Sequence, residues 1–190
     1  MAGETLGLTI HEPFASWLAL GRPWAGMTGP KWGENRTWKP VWGGRPFRGR
    51  LAIHAAVASR YVTPKKTLRE QYGETLGRAL ATCRVHSVLH KSWSVNRIAD
   101  EIRRGEGFPE LRGRVKPPAD TVADLAADIF AHEHFEGPFF WLLVDFEAIP
   151  GTPKVTGRQG LWAWRGGNSI PGGSGDFYAS RRKCDAGGSA

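Results

Sequence analysis

The sequence predicts an α+β protein built on a small mixed β-barrel of five or six strands, with one early helix and further helices inserted in mid-chain. Short alternating segments, such as LGLTI at 6–10 and RGRLAIHA at 48–55, are typical of half-buried strands. Apolar residues at helical spacing follow Pro13 and occur again between 91 and 136. A chain of 190 residues can bury one substantial core, so we expect these elements to form a single domain.

The early helix is bounded by a proline and a glycine. Pro13 opens the segment PFASWLAL, whose apolar residues share one helical face, and Gly21 ends it. The segment RGRLAIHA is expected to be the second or third strand. Its alternation places Leu51 and Ile53 on one face and the intervening positions, including His54, on the other.

The second half of the chain contains the remaining elements. We expect a polar helix after Pro64 and two helices between 91 and 136, the first starting at a Ser cap and the second covering 119–135. The expected strands are RALATCRVHSVL at 78–89, PFFWLLVDFEAI at 138–149 and QGLWAWR at 159–165. Residues 166–190 are rich in Gly and Ser with almost nothing to bury, which predicts a flexible basic tail.

The charge balance favours a polyanionic partner. The chain contains 26 Lys and Arg against 18 Asp and Glu, a net charge of +8, and its pI is near 9.9. Nucleic acid is therefore the first candidate partner. Two alternatives remain open, namely a soluble protein that is merely basic and an interaction module whose basic surface docks an acidic protein. Only the placement of the charges can separate them.

Cysteine usage and hydropathy indicate a protein of a reducing compartment. Cys83 and Cys184 are too few for a disulfide framework and lack the spacing of a metal knuckle. The N-terminus lacks a basic segment followed by an apolar run, and the longest strongly apolar stretch, FFWLLV at 139–144, is too short to span a membrane. The histidines of HEH at 132–134 lack the spacing of a helical zinc pair. We expect a cytoplasmic protein without membrane span, metal or cofactor, and the sequence leaves its oligomeric state open.

The segment GPKWGENRTW at 29–38 carries opposite charges where a strand is about to begin. In an extended segment Glu34, Arg36 and Trp38 would project from one face, with Lys31 at the turn that leads in. A carboxylate between two cations is an oriented acceptor, which suits a cleft that reads a planar polar ligand. The alternative is a solvated surface ion pair of little energetic value. We expect both cations to be exposed, so that their loss changes the melting temperature little.

Several segments resemble, in order and spacing, the ASCH domain, a family of the PUA-like superfamily. They are GLTIHEPFASWLALG, GPKWGENRTW, RGRLAIHA, and GPFFWLLVDFEAI with GRQGLWAW. The resemblance covers roughly residues 6–56 and 137–165. It implies a PUA-like barrel over residues 1–165, with a helical insertion at about 57–136 and the tail after it.

The resemblance also implies a ligand. Gly29, Lys31, Glu34 and Arg36 match every defined position of the family's G-x-K-x-x-E-x-R motif. In the family this motif lies in a positively charged cleft, where the first helix and the motif turn form one wall. The expected ligand is RNA, DNA or a modified nucleotide, and the residues do not distinguish among these.

Catalysis is the alternative function. Other members of the superfamily are hydrolases, and the acetylcytidine amidohydrolase branch resembles this chain around the lysine. That branch has a threonine nucleophile where this chain has Glu34, and a glutamate cannot copy a hydroxyl nucleophile. Lys31 and Glu34 could instead serve as general acid and base on RNA or a modified nucleoside.

Further residues are candidates for the nucleic-acid interface. His54 could donate to a phosphate, although a structural role is equally expected for a histidine on a barrel strand. Arg158 and Gln159 precede the last strand, where they would either face the cleft or cap the barrel. Trp38 is the aromatic residue best placed to stack on a base, since it shares a face with Arg36. Most other aromatic residues are expected in the core.

Overall fold

The computed structural model describes residues 4–21, 31, 33–62, 64–105, 122–131 and 137–165. Within these ranges the chain forms eight strands and four helices. The strands are β1 (Leu6–Ile10), β2 (Gly33–Arg36), β3 (Val41–Trp42), β4 (Arg45–Pro46), β5 (Arg50–Ala55), β6 (Ala79–His90), β7 (Phe139–Ala148) and β8 (Leu161–Ala163). The helices are α1 (Phe14–Leu20), α2 (Lys65–Tyr72), α3 (Val95–Arg104) and α4 (Val122–Ala131).

Six of the strands form one curled sheet with the shape of half a barrel. Their order is β2-β7-β6-β5-β1-β8. β1 and β5 run parallel, whereas the other neighbouring strands are antiparallel. β3 and β4 form a separate hairpin. The prediction of a mixed α+β fold with a barrel-like sheet is therefore confirmed.

The long strand β6 lies in the middle of the sheet. β5 pairs with its residues 79–84, and β7 pairs with it between residues 81 and 90. Beyond β5, the N–H of Val85 still donates to the carbonyl of Gly49. The last part of β6 therefore extends past the end of its neighbour β5.

The two faces of the sheet pack against different groups of side chains. We call the face that carries α1 and the main core the inner face; the core there includes Leu8, Leu18, Ile53, Val85 and Trp141. The opposite face of β6 and β7 packs against α3 and α4, and this second core includes Leu89, Ile98, Ile102, Leu125 and Ile129.

A buried glutamate fixes the start of α1. Glu12 is 0 % exposed, and its carboxylate accepts hydrogen bonds from the N–H and the hydroxyl of Ser16 and from the hydroxyl of Thr75. The bond from the Ser16 N–H caps a helix whose N-cap residue, Pro13, makes no side-chain cap bond. Burial, together with the nearby charge of Glu12, raises the pKa of Tyr72.

Several element boundaries agree with the sequence, and one strand differs. Gly21 ends α1 with φ of 68°, and Ser94 caps α3 by accepting the N–H of Arg97. RGRLAIHA contributes the fifth strand rather than the second or third, because β2 and the β3–β4 hairpin precede it. Ala52 and His54 are buried, so β5 is covered on both faces.

As the sequence predicts, the segment 57–136 contributes a strand as well as helices. Its described part contains α2, α3 and α4, but also β6, to which both β5 and β7 are paired. Of the helix expected over 119–135 the structure describes α4, and the predicted tail at 166–190 lies outside the described residues. No described helix has the length and apolar character needed to cross a membrane.

We expect Leu125→Ala to lower the free energy of unfolding by about 2–5 kcal/mol, because it leaves a cavity between α4, α3 and the sheet. Phe130→Ala is the matched control on the same helix. Phe130 is 48 % exposed, so its truncation should change stability by no more than about 0.5 kcal/mol. Urea unfolding followed by circular dichroism measures both. Equal losses would contradict the packing of α4 through Leu125.

Candidate functional site

Three side chains of the charged segment form one group, here called the charged cluster, consisting of Lys31, Glu34 and Arg36. The Lys31 ammonium lies 3.2 Å from one carboxylate oxygen of Glu34, and the Arg36 guanidinium lies 3.2 Å from the other. The carboxylate is thus held between two cations, as the alternation in the sequence predicts. Gly29, the first position of the motif, lies outside the described residues.

The charged cluster is largely removed from water. Lys31 is 5 % exposed, Glu34 is 8 % exposed, and the Arg36 side chain retains 20 % of its exposure. The expectation of exposed cations is therefore wrong. The Lys31 ammonium also lies over the ring of Phe14, 5.4 Å from its centre, which partly offsets the loss of hydration. Because these charges are buried together, each depends on its partners for stability.

Gly33 allows β2 to lie directly against β7. A side chain at this position would collide with the backbone carbonyl of Trp141. The antiparallel register places Glu34 opposite Trp141 and Arg36 opposite Phe139. Directly opposed residues project from the same face, so both charged side chains project from the inner face.

Arg36 connects the two sides of the curled sheet. It lies on the edge strand β2, and its Nη2 donates a 3.0 Å hydrogen bond to the carbonyl of Thr9 in β1. β8 pairs with β1 only over residues 6–8, so the Thr9 carbonyl lies beyond the end of that pairing. The guanidinium also lies 5.9 Å from the ring centre of Trp38, which packs edge-on against Trp141. A side chain therefore bridges the opening of the half-barrel.

Hydrogen-bonding capacity remains unused in β2. Among the described residues, three of the four buried side-chain atoms without a protein hydrogen-bond partner are Glu34 Oε2, Asn35 Oδ1 and Arg36 Nε. The contact of Lys31 with Glu34 Oε2 is an ion pair that is not aligned as a hydrogen bond. Buried polar groups nearly always have partners. On the inner face the cluster therefore offers one acceptor and one donor, whereas Asn35 projects from the other face by alternation.

Aromatic side chains border the cluster on the side of Lys31. Phe14 packs edge-on against Tyr61 with ring centres 4.9 Å apart, and Tyr61 contacts the ring of His11 at 6.1 Å. Tyr61 is 41 % exposed, and the Arg60 guanidinium lies over its ring. Tyr61 was not among the predicted site residues. Its only signal in the sequence is an aromatic residue beside an arginine in a polar segment.

His54 is enclosed by protein. It is 2 % exposed, and its two ring nitrogens lie 3.2 Å from the Thr9 hydroxyl and 3.2 Å from the carbonyl of Val155. Trp162 packs edge-on against the ring and donates to the same Thr9 hydroxyl. Burial lowers the pKa of His54, although hydrogen bonds to backbone carbonyls oppose this shift. Its polar atoms serve the fold, and nothing in this geometry supports the predicted contact with a phosphate.

Arg158 and Gln159 are exposed on the loop that precedes β8. The residue before them, Gly157, packs closely against His54 and Thr9. The loop therefore passes beside Thr9 of β1 shortly before β8 begins, and Arg158 and Gln159 directly follow this contact. Of the predicted residues, the structure brings together Lys31, Glu34, Arg36 and Trp38.

The described residues contain no group of three or more His, Cys, Asp or Glu side chains that could hold a metal ion. The HEH segment at 132–134 lies outside them. Neither the comparison with models of protein families nor the comparison with curated proteins finds a match for this chain. The functional assignment therefore depends on the geometry of the cluster and on the motif.

We expect Lys31→Met to lower the free energy of unfolding by about 3 kcal/mol, because it leaves a buried carboxylate with one cation fewer. The double variant Lys31→Met/Glu34→Gln should recover much of this loss, since it removes the uncompensated charge. Lys66→Met is the control, because Lys66 pairs with Glu70 at the surface and should contribute less than about 0.5 kcal/mol. Thermal unfolding measures these changes. If Lys31→Met lowered stability no more than Lys66→Met does, the burial of the cluster would be contradicted.

The lowered pKa of His54 predicts a loss of stability on mild acidification. Below pH 6.5, the ordinary pKa of a histidine, the unfolded chain binds a proton that the folded chain excludes. The contribution of neutral His54 to stability is therefore fully present above pH 6.5 and decreases as the pH falls below it. One such proton contributes at most about 1.4 kcal/mol per pH unit. Melting curves between about pH 7.5 and 5.5 should show a shallower pH dependence for His54→Gln than for the parent. An equal pH dependence in His54→Gln and in the parent would contradict this effect of burial.

Proposed function

We propose that the chain is an ASCH-like domain of the PUA-like superfamily that acts in the cytoplasm. We propose further that it binds nucleic acid, RNA in the first instance, or a modified nucleotide through a basic cleft built on Lys31, Glu34 and Arg36. The observation that carries this proposal is the carboxylate of Glu34, which is oriented by two cations while Oε2 lacks a hydrogen-bond donor among the described residues.

The unused atoms of the cluster fit the edge of a nucleobase. Glu34 Oε2 can accept a hydrogen bond from an exocyclic amino group, and Arg36 Nε can donate one to a ring nitrogen or carbonyl. A carboxylate acceptor favours bases that carry an amino group over uracil. Ion pairs already orient both side chains, but Glu34 Oε2 and Arg36 Nε are themselves buried, so a base must displace the groups that cover these atoms in order to reach them.

Neighbouring groups supply the other contacts that a nucleotide needs. Trp38 lies beside Arg36, and Tyr61 packs against Phe14; these are the aromatic rings that we propose stack on a base. Arg158 and Gln159 add polar groups on the adjoining loop. The net charge of +8 adds an attraction for phosphates that does not depend on base sequence.

A hydrolase is the second candidate, and the same carboxylate favours it. Glu34 Oε2 would act as the general base and Lys31, whose ammonium lies 3.2 Å away, as the general acid. The substrate would be RNA or a modified nucleoside. Glu34 does not supply a hydroxyl nucleophile, so the attacking group would be water or a ribose hydroxyl of the substrate.

Glu34→Gln separates these possibilities, because it keeps the side-chain shape and removes the charge. A base reader should lose about 1–3 kcal/mol of affinity for cytosine-containing RNA, whereas a pure phosphate reader should bind at least as tightly. A hydrolase should keep binding and lose about a hundredfold in turnover. Fluorescence anisotropy with labelled RNA, single-stranded DNA and duplex DNA measures binding, and denaturing gels measure breakdown.

Glu147→Gln is the matched control for that experiment, since Glu147 pairs with Arg50 and its side chain is 66 % exposed. It should behave like the parent. Affinity should also fall steeply as salt rises from about 50 to 200 mM, because phosphate contacts release counterions. If Glu34→Gln matched the control in both binding and breakdown, the cluster would be a structural ion-pair network and the proposed function would be wrong.

A further inference from the structure

A cavity of about 510 Å³ lies between the β3–β4 hairpin, the end of β6 and α3. Its volume falls within the range of about 300–1,000 Å³ that is typical of small-ligand sites. The lining combines cations with aromatic rings, including Lys39, Arg97, Trp93 and Phe139. None of these residues belongs to the charged cluster.

The cavity continues a row of side chains that begins at Arg36. Arg36 lies opposite Phe139 in the pairing of β2 with β7, and Phe139 lies opposite His90 in the pairing of β7 with β6. Opposed residues project from the same face, so these three side chains form one row on the inner face. Two strand spacings, about 10 Å, separate the ends of the row. Phe139 and His90 both line the cavity, so the cluster and the cavity share one surface.

The cavity exists because β5 is shorter than β6. The paired residues of β5 reach only as far as Arg84 of β6. Past this point the Arg48 guanidinium donates to the carbonyl of His86 and to the carboxylate of Glu101 on α3. Arg48 thus ties α3 to the sheet and forms one wall of the space that extends to the end of β6.

Two aromatic walls of the cavity each carry a cation. The Lys39 ammonium lies 5.5 Å from the ring centre of Phe139, and the Arg97 guanidinium lies 4.6 Å from that of Trp93. Neither cation has a carboxylate partner among the described residues. His90 lies between the two rings, 5.0 Å from Phe139 and 6.3 Å from Trp93. The cavity therefore offers stacking surfaces and positive charge in the same place.

This combination matches the chemistry of a nucleotide. A base can stack on an aromatic ring or on the plane of a guanidinium, and an ammonium and a guanidinium both bind phosphate. A purely apolar ligand would leave both cations unused, and a simple anion would leave the rings unused. A base that is still paired within a duplex could not enter such a space, so the matching ligand is unpaired.

We propose that the cavity is a second nucleotide subsite, which takes a base and a phosphate from the same single strand that contacts Glu34 and Arg36. This inference rests on the proposed nucleic-acid function, and it deepens that function by giving the strand a path from the cluster along the row to the cavity. The ligand is then an unpaired strand of several nucleotides rather than a free nucleotide.

The double variant Lys39→Ala/Arg97→Ala tests the subsite with labelled hexacytidylate and the full chain. Binding should weaken about 5- to 100-fold. The slope of log K against log salt should become shallower by about 0.7, the value for the one phosphate of the single strand that is no longer neutralised. Both residues are exposed, so the melting temperature should not change. Lys91→Ala/Arg103→Ala removes two exposed cations that do not line the cavity, and it should alter neither quantity appreciably.

Cytidine monophosphate distinguishes a strand from a free nucleotide. The proposal predicts that it competes with hexacytidylate at least about a hundredfold more weakly than unlabelled hexamer does, because it cannot occupy the cluster and the cavity together. If the monophosphate binds the parent tightly and the cavity double variant loses this binding, the proposal that one strand occupies both the cluster and the cavity is wrong.

Glu34→Gln in the same assay separates the failure of this inference from the failure of the proposed function. If Glu34→Gln weakens binding while the cavity double variant behaves like its surface control, the cavity is not a subsite and the proposed function stands. If only the cavity double variant weakens binding, the cluster is not a binding site, and the shared strand is rejected with it. Weakening by both changes supports the proposal.

Discussion

The hydrogen bond from Arg36 to the carbonyl of Thr9 is the contact on which the candidate site depends. It joins the edge strand β2 to β1 across the opening of the half-barrel. The same guanidinium holds one oxygen of Glu34, and the Lys31 ammonium holds the other. The orientation of the carboxylate is therefore coupled to the curl of the sheet, so that a change in strand position would also move the groups proposed to read a ligand.

Burial of this cluster is unfavourable for folding, because the ion pairs do not fully offset the loss of hydration. Removing an ammonium, a guanidinium and a carboxylate from water costs several kcal/mol for each ion, and ion pairs return only part of this. Apolar residues at these positions would pack at least as well. The cluster keeps its charges and has one acceptor and one donor without partners among the described residues, which recognition of a ligand explains more readily than stability does. Glu12 is different, because its carboxylate accepts three hydrogen bonds and fixes the start of α1.

Unequal strand lengths create both parts of the surface that we assign to ligand. β8 stops pairing before Thr9, which leaves a carbonyl for Arg36, and β5 stops before the end of β6, which leaves room for the cavity. In each case a side chain occupies part of the gap: Arg36 at the first and Arg48 at the second. The ends of the sheet, rather than its regular middle, therefore carry the polar groups that are available for function.

The sequence by itself determined the local elements and the grouping of Lys31, Glu34, Arg36 and Trp38, because helical spacing, the period of two in strands and caps such as Gly21 act over a few residues. Tertiary structure alone decided that the cluster is buried and that His54 is enclosed beneath Trp162. It also decided that Tyr61 packs on Phe14, the ring under Lys31, and that β6 lies between β5 and β7. These features depend on register and closure between segments far apart in the chain, such as the pairing of residues 33–36 with 139–142. No local residue pattern encodes such a pairing, since its energy comes from contacts that exist only once the sheet has formed.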